Sequence, residues 1–462
     1  MNNRLDALET AYIRIERPNA PLHVASVGFF EAAPFFDEEG VFKLEELRAA
    51  VMARMGLAPK LRQRLAEVPL ELGRPIWVDD DAFDIANHVA VEAVPAPGDH
   101  ATVMDLLTQR YSELLDHAHP LWHMLFLTGE ADGRVVLLER VHHAVADGVG
   151  GVGLASLLLD LEPTPAPVAY PPLPDAAPAP GSIDRVRAAI VDRTRDAAIT
   201  IGAGASTALH HPLHMARRVN ETLGALSGDG HGVFAPPAAF NAPLGDHRRL
   251  LFAGQRLDEF KKIGDSHGAT VNDVVLAVVT AAARALLLER GERLDADAIV
   301  KILVPVSFRR ADQSTALGNE VAGFVVPLPI GIGDPLRRLA TITETMQAVK
   351  ASGEAGASMV LLELADLLPP LMLHGAHLLM DHQPLVNLVV TNVPGPPVPL
   401  YVHGAKMLDA FPIVPLAGNL TLGVAVLSYN GALNFGVTVD PDVWPDADVF
   451  VRALDAAVDA LA

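Results

Sequence analysis

The chain has no cysteine, which excludes disulfides, thiolate zinc sites and a cysteine acyl-enzyme. It has no apolar run that reads as a membrane span. The best candidate, Val274 to Leu288, is interrupted by Arg284 and is too short. The stretch from Met359 to Met380 carries Glu363, Asp366 and the pair Pro369-Pro370. The opening residues Met1-Asn2-Asn3-Arg4-Leu5-Asp6 lack the apolar core of a signal peptide. A cytoplasmic protein is therefore expected, with peripheral attachment to membrane or lipid inclusions left open. Positive charge is also scarce. The formal net charge of -21 argues against a nucleic-acid partner, because such binding depends on neutralising phosphates. There is no Gly-x-Ser-x-Gly elbow of a serine hydrolase. A phosphate-binding Gly-x-x-x-x-Gly-Lys-Ser/Thr loop is missing too.

What is present is length and grease. The chain has 462 residues, 50% of them hydrophobic, with a mean hydropathy of +0.28. That suffices for two or three domains with large cores, or for an apolar binding channel. Between Pro163 and Pro180 lie eight prolines, a density that regular structure does not tolerate. The expected division is an N-terminal domain over 1–162, a Pro/Ala-rich linker over 163–182 and a C-terminal part over 183–462.

Strand-like and helix-like stretches alternate in both parts. Leu22 to Phe30 and Val135 to Val141 read as strands, the second buried. Leu44 to Met55 reads as a helix ended by Gly56, and Ala101 to Leu115 as a helix with a stripe of Val103, Leu106, Leu107 and Leu114. Ile183 to Leu226 reads as helical, broken near Gly202. Thr270-Val271-Asn272-Asp273 resembles a capping box opening a helix to about Arg290, and Asp334-Pro335 opens another. Strand-like runs follow at Ile299 to Val306, Glu320 to Leu328, Leu385 to Thr391, Leu420 to Ser428 and Ala432 to Val439. A last helix spans roughly Ala447 to Leu461. The predicted class is α/β, a mixed sheet with flanking helices in each domain.

Chemistry concentrates after Val141. The buried strand runs directly into His142-His143, with Asp147-Gly148 behind them and an apolar stretch from Val152 to Leu161. Histidines at the end of a buried strand sit where ligand sites lie in α/β folds. A neutral imidazole, with an ordinary pKa near ~6.5, accepts a proton at neutral pH. Asp147 can turn back to the histidine backbone or to a basic side chain. Gly148 allows a backbone geometry that a Cβ would forbid. The plainer alternative is a pair of ordinary loop histidines. It is the reading for His210-His211, where Met215 stands in the place of Asp147. A metal site among His117, His119, His123, His142 and His143 has only their crowding to support it.

The run HHxxxDG after a strand is the signature of coenzyme A-dependent acyltransferases and of peptide-synthetase condensation domains. The rest of the chain resembles one branch, the bacterial wax ester synthase/diacylglycerol acyltransferases. Pro21-Leu22-His23-Val24, Pro120-Leu121-Trp122 and Asn241-Ala242-Pro243-Leu244-Gly245 with Arg248-Arg249 match family blocks. Asn272-Asp273, Val304-Pro305-Val306-Ser307 and Gly318-Asn319 follow in the family's order. Thr391-Asn392-Val393-Pro394-Gly395-Pro396, then Ser428-Tyr429-Asn430-Gly431 and Phe435-Gly436, close the series. Glu9 stands where the family usually has Asp, and His123 follows the Pro-Leu-Trp run where it is not typical.

The resemblance implies a two-domain coenzyme A-dependent acyltransferase fold. It also implies transfer of a long-chain acyl group from acyl-CoA to diacylglycerol or a fatty alcohol. Acyl-CoA enters as substrate, and no resident cofactor or metal is implied. His143 would be the general base, His142 would support the loop and Asp147 would hold it through a salt bridge. Gly148, Asn272, Asp273 and Asn392 would shape the substrate site, and Pro120, Leu121 and Trp122 would either shape the acyl channel or pack the core. Asn272 and Asn392 are also candidate oxyanion donors. Arg248, Arg249, Arg309 and Arg310 are candidates for the phosphates of coenzyme A. Two other readings stay open: a lipid or acyl-CoA binding protein without catalysis, and an acyltransferase with a non-lipid acceptor.

Overall fold

The computed structural model describes residues 3–145, 154, 157–166, 168–192, 234–307, 321–352 and 380–462, apart from the side chains at 306, 307, 321, 322 and 350–352. Helix α1 (Ala7–Ile15) opens with a capping box in which Glu9 N–H donates to Asp6 at 2.6 Å and Asp6 N–H to Glu9 at 3.1 Å. The glutamate at this position also reaches Lys60 at 3.1 Å. Strand β1 (His23–Glu31) and α2 (Leu44–Arg54) follow, then the antiparallel pair β2 (Gln63–Ala66) and β3 (Ile76–Asp79). Gly56 does not cap α2 in a left-handed turn. It lies in a 3-10 turn pressed against the Pro171 carbonyl, where a Cβ would not fit. After β4 (Val89–Ala93) comes α3 (His100–Ser112), buried along Val103, Leu106, Leu107 and Tyr111. Leu114 falls beyond the helix and is exposed, so Tyr111 completes the stripe instead. Strands β5 (Trp122–Thr128) and β6 (Arg134–His142) end this part.

No helix or strand forms among the described residues of 163–181. Residues 182–192 are helical, and Asp192 pairs with Arg4 at 3.6 Å. The expected continuation to Leu226 lies outside the described residues. The chain resumes with β7 (Arg249–Arg256), α4 (Leu257–His267) and α5 (Val271–Glu289). As the sequence predicts, Thr270 and Asp273 form a capping box at α5, and Gly291 follows its end with φ +76°. Then come β8 (Val300–Ser307), β9 (Val321–Leu328), α6 (Pro335–Ser352), β10 (Leu388–Val393), β11 (Tyr401–Val402), β12 (Ala405–Ile413), β13 (Leu422–Tyr429), β14 (Ala432–Val439) and α7 (Asp448–Asp459).

Two mixed sheets result. The first has the order β11-β12-β1-β6-β5-β4 and the second β7-β14-β13-β10-β8-β9. The first sheet therefore takes two strands from the far end of the chain. Strand β12 pairs antiparallel with β1, whose other neighbour is β6. The sheets meet where β12 passes β14. Asn434 Nδ2 donates to the Ala410 carbonyl at 2.8 Å, and a Cβ on Gly436 would lie 1.7 Å from the Pro412 oxygen. Only glycine allows that approach.

Helix α5 is apolar on nearly every side and fills the core against β8, β10, β13, β14 and α7. Among the described residues it alone is long and apolar enough to cross a membrane, and 67% of its apolar window is buried inside the protein.

Candidate active site

Strand β6 delivers the two histidines into opposite surroundings. His142 is fully buried, opposite His23 across β1. The Ala144 N–H donates to His142 Nδ1 at 3.0 Å, so the proton of the neutral ring sits on Nε2. That Nε2 lies 3.3 Å from Glu16 Oε1. The backbone is pinned as well: His142 N–H donates to Leu121 at 2.9 Å and His143 N–H to Leu22 at 2.8 Å.

Glu16 was not among the residues singled out from the sequence, yet it anchors the loop. It accepts from His117 Nε2 at 2.8 Å and from the Leu22 N–H at 2.8 Å. Burial alone would raise its pKa. The hydrogen bonds from His117 and His142 outweigh burial and hold the carboxyl well below the usual carboxylate range. Glu16, His117 and His142 are close enough to hold a metal ion. The tautomer set by Ala144 opposes this, because the ring nitrogen facing Glu16 carries a proton rather than a free lone pair. His119 and His123 stand apart from that group. His123 lies beside Arg140 Nη2 at 3.4 Å, and burial with the Arg140 charge pushes its pKa down to about 4.

His143 is only half-buried. Its ring stacks on Tyr12, with centroids 4.3 Å apart. It lines a cavity of about 780 Å³ between the two sheets, walled by α1, β1, β6 and β12 on one side and by β8, β10 and β13 on the other. The lining is overwhelmingly apolar, with Leu8, Ile15, Phe30, Leu137, Met407 and Val426 among it. The stripe Leu8, Ala11, Tyr12 and Ile15 explains why α1 faces this space: its spacing puts all four on one side of a helix. An accessible imidazole in an apolar cavity can move a proton on an apolar substrate, whereas the buried His142 ring lies against Glu16.

Comparison with known proteins decides the family. The profile described as wax ester synthase/diacylglycerol acyltransferase catalytic domain matches residues 5–275, and that of the WS/DGAT C-terminal domain matches residues 317–462. The chain belongs to the wax ester synthase/diacylglycerol acyltransferase family. It is an acyltransferase. A Mycobacterium tuberculosis protein named as a diacylglycerol O-acyltransferase is 32% identical over 465 residues, covering 98% of this chain and 89% of the relative. Another from that organism, tgs1, is 32% identical over 463 residues, covering 99% and 95%. The fold matches the wax ester synthase/diacylglycerol acyltransferase from Marinobacter aquaeolei, with TM-score 0.70, 22% identity and coverage of 99% and 98%. It also matches the starter condensation domain of rhizomide synthetase, solved with C8-CoA and Leu-SNAC, with TM-score 0.60, 16% identity and coverage of 99% and 94%.

The family blocks turn out to do different work in this wax ester synthase/diacylglycerol acyltransferase fold. Leu121 and Trp122 do not line the cavity. They are core residues, and Trp122 Nε1 donates to the Leu61 carbonyl at 2.7 Å. Pro120 is buried beside them. The Pro-Leu-Trp run reaches the site only through the Leu121 carbonyl that holds His142. Asn272 and Asn392 are brought together, Asn392 Nδ2 donating to Asn272 Oδ1 at 3.2 Å. They sit on the far face of β10, because its alternate residues Thr391 and Val393 are the ones that line the cavity. Asp273 closes the α5 capping box. Asp147, Gly148, Arg309 and Arg310 lie outside the described residues.

Both members of the arginine pair are engaged within the protein. Arg248 is buried, donates to the carbonyls of Gly245 at 3.0 Å and His247 at 2.6 Å, and also reaches the Asn19 carbonyl. Arg249 pairs with Asp448 at 2.9 Å. With Asn19 Nδ2 bonded to the Leu244 carbonyl at 3.1 Å and Arg17 to Asp381 at 2.9 Å, the segment after α1 is strapped to the second half of the chain. The same segment carries Glu16. No motif at the level of residue types marks Glu16 or Tyr12, and only the histidine crowding draws attention to His117; besides HHxxxDG, the α1 stripe is a signal that points toward the cavity.

Proposed function

We propose that His143 is the general base for transfer of a long-chain acyl group from acyl-CoA to the hydroxyl of diacylglycerol or a long-chain alcohol. The observation that carries this is the position of His143, half-buried and lining the apolar cavity, while its neighbour His142 is locked to Glu16. In this reading the hydroxyl oxygen attacks the thioester carbonyl as its proton passes to the His143 imidazole. The tetrahedral intermediate then collapses, the carbon–sulfur bond breaks, and the departing thiolate takes the proton. Tyr12, stacked on the ring, fixes its plane. A positioned base of this kind contributes roughly 10²–10⁴-fold. The apolar walls would hold two chains at one point and disfavour water near the acyl group.

Acyl-CoA is taken as substrate, with the phosphates outside the cavity. Lipid substrates of this kind reside in membranes or lipid inclusions, so peripheral attachment there belongs to the same reading. The fold neighbour solved with C8-CoA supports a thioester donor. The test is free-thiol release from palmitoyl-CoA with hexadecanol, with dipalmitoylglycerol, and with neither. Acceptor-dependent release that falls at least about a hundredfold in His143→Ala is expected. Release that does not depend on either acceptor would overturn the transferase reading.

A further inference from the structure

Ser26 and Glu139 face each other across β1 and β6, and both line the cavity. Ser26 Oγ donates to Glu139 Oε2 at 2.9 Å. The other carboxyl oxygen, Oε1, is buried and has no hydrogen-bond partner among the described residues. The residue is only 9% exposed. Such an oxygen is costly to leave unpaired and calls for an explanation. Among the described residues no cation lies beside it: the neighbouring lining is Gly28, Phe30, Leu137, Val141 and Met407. Desolvation pushes the carboxyl up to about 7, so near neutrality much of it is protonated and holds an O–H to donate.

The transfer step does not use this group. Glu139 lies on β6 and His143 one position past its end, four residues apart and both lining the cavity, a separation of roughly 13 Å for extended chain. A chain whose reacting carbon lies at His143 would pass Glu139 well along its length.

We infer that Glu139, backed by Ser26, is a specificity residue that hydrogen-bonds an oxygen carried part-way along the alkyl chain of the lipid substrate. The identity of the ligand as a lipid chain rests on the acyltransferase reading above. A mid-chain hydroxyl can both accept from the protonated carboxyl and donate to its free oxygen, and a mid-chain keto group can accept. An unsubstituted chain leaves Oε1 unpaired. The same chemistry fits an oxygenated acyl donor or an oxygenated alcohol acceptor.

Equilibrium binding distinguishes them when measured on His143→Ala, where turnover does not intervene. Ricinoleoyl-CoA is compared with oleoyl-CoA for the donor, and ricinoleyl alcohol with oleyl alcohol for the acceptor. Each pair differs by one mid-chain hydroxyl. In one pair the hydroxylated ligand is expected to bind about tenfold more tightly, and that pair identifies the source. Adding Glu139→Leu should abolish the preference. Glu139→Met, similar in length, serves the same purpose should the leucine variant fail to fold. Equal affinities within both pairs, or a preference that survives loss of the carboxyl, would overturn the inference. Turnover of oleoyl-CoA by the unaltered protein is followed alongside. Its absence would count against the acyltransferase reading, while the affinity ratios would still decide the role of Glu139.

Discussion

His142 and His143 are adjacent in sequence and opposite in circumstance. One accepts from the Ala144 amide at one ring nitrogen, has the other 3.3 Å from the Glu16 carboxylate, and is fully buried. The other lines the cavity against Tyr12. Substituting them should therefore separate stability from chemistry. His142→Ala is expected to lower the melting temperature, because it leaves a buried carboxylate with one donor fewer. Glu16→Gln removes the charge itself and should cost about 2 kcal/mol, read by chemical denaturation at neutral pH. The pH dependence has a definite sign. The Glu16 carboxyl titrates lower in the folded protein than in the unfolded one. Its contribution is thus fully present above the ordinary carboxylate pKa and is lost as pH falls through the depressed folded value. His23, whose pKa burial pushes down to about 3, acts in the same direction. The unfolded chain binds its proton first, so stability falls as pH drops from ~6.5 toward 3.

Glu139 has the reverse sign. Its folded pKa is raised to about 7, so between ~4.3 and 7 the folded state holds the proton that the unfolded chain releases. Stability should decline as pH rises through that window and level off above it. The full effect is on the order of 4 kcal/mol. Denaturation of Glu139→Gln at several pH values checks this: the variant should lose the slope and exceed the unaltered protein in stability above neutrality. The HHxxxDG run was legible in the residues themselves. Glu16 and Glu139 were not, because a single carboxylate in a helix-to-strand connection or in a strand looks like a solvated charge until its neighbours in space are known.

At the scale of elements, legibility follows periodicity. The capping box and apolar length of α5 were readable, as were β13 and β14 with their dense β-branched cores. Strand β12 escaped notice because Lys406, Asp409 and Pro412 dilute its pattern, although Ala405, Met407, Ala410 and Ile413 are buried. Its importance comes from long-range pairing with β1, which no local pattern encodes. The Phe435-Gly436 block has a physical reason at this junction. Gly436→Ala would drive a methyl group into the Pro412 carbonyl. It should destabilise by about 1–3 kcal/mol or more through forced separation of the sheets, measured as a shift in denaturation midpoint. The nearby Gly431, at a φ of +87° in the β13–β14 turn and with open space around it, would be affected through backbone strain alone.

For the whole molecule, the cavity exists only because both halves contribute walls. The strap after α1 holds them in register through Arg17 with Asp381, Asn19 with Leu244 and Arg248 with Asn19. Arg248→Ala should loosen that junction and lower the melting temperature. It should also raise KM for lipid more than it lowers kcat, since it touches neither His143 nor the cavity lining. The mixed α/β architecture was legible from the alternation of elements. The exchange of β11 and β12 into the first sheet was not, and neither was the placing of Asn272 and Asn392 behind β10, since family motifs record which residues matter without recording which side of a strand they face.

The central claim is that acyl transfer occurs in this cavity with His143 as base. It is tested most directly by following carbonyl-labelled palmitoyl-CoA with hexadecanol and dipalmitoylglycerol present together, in the unaltered protein and in His143→Ala. The account predicts label in wax ester or triacylglycerol for the unaltered protein. It predicts none above background for the variant, whose melting temperature should be unchanged. Ester formation at the same rate in His143→Ala, or label recovered only as free palmitate, would contradict it.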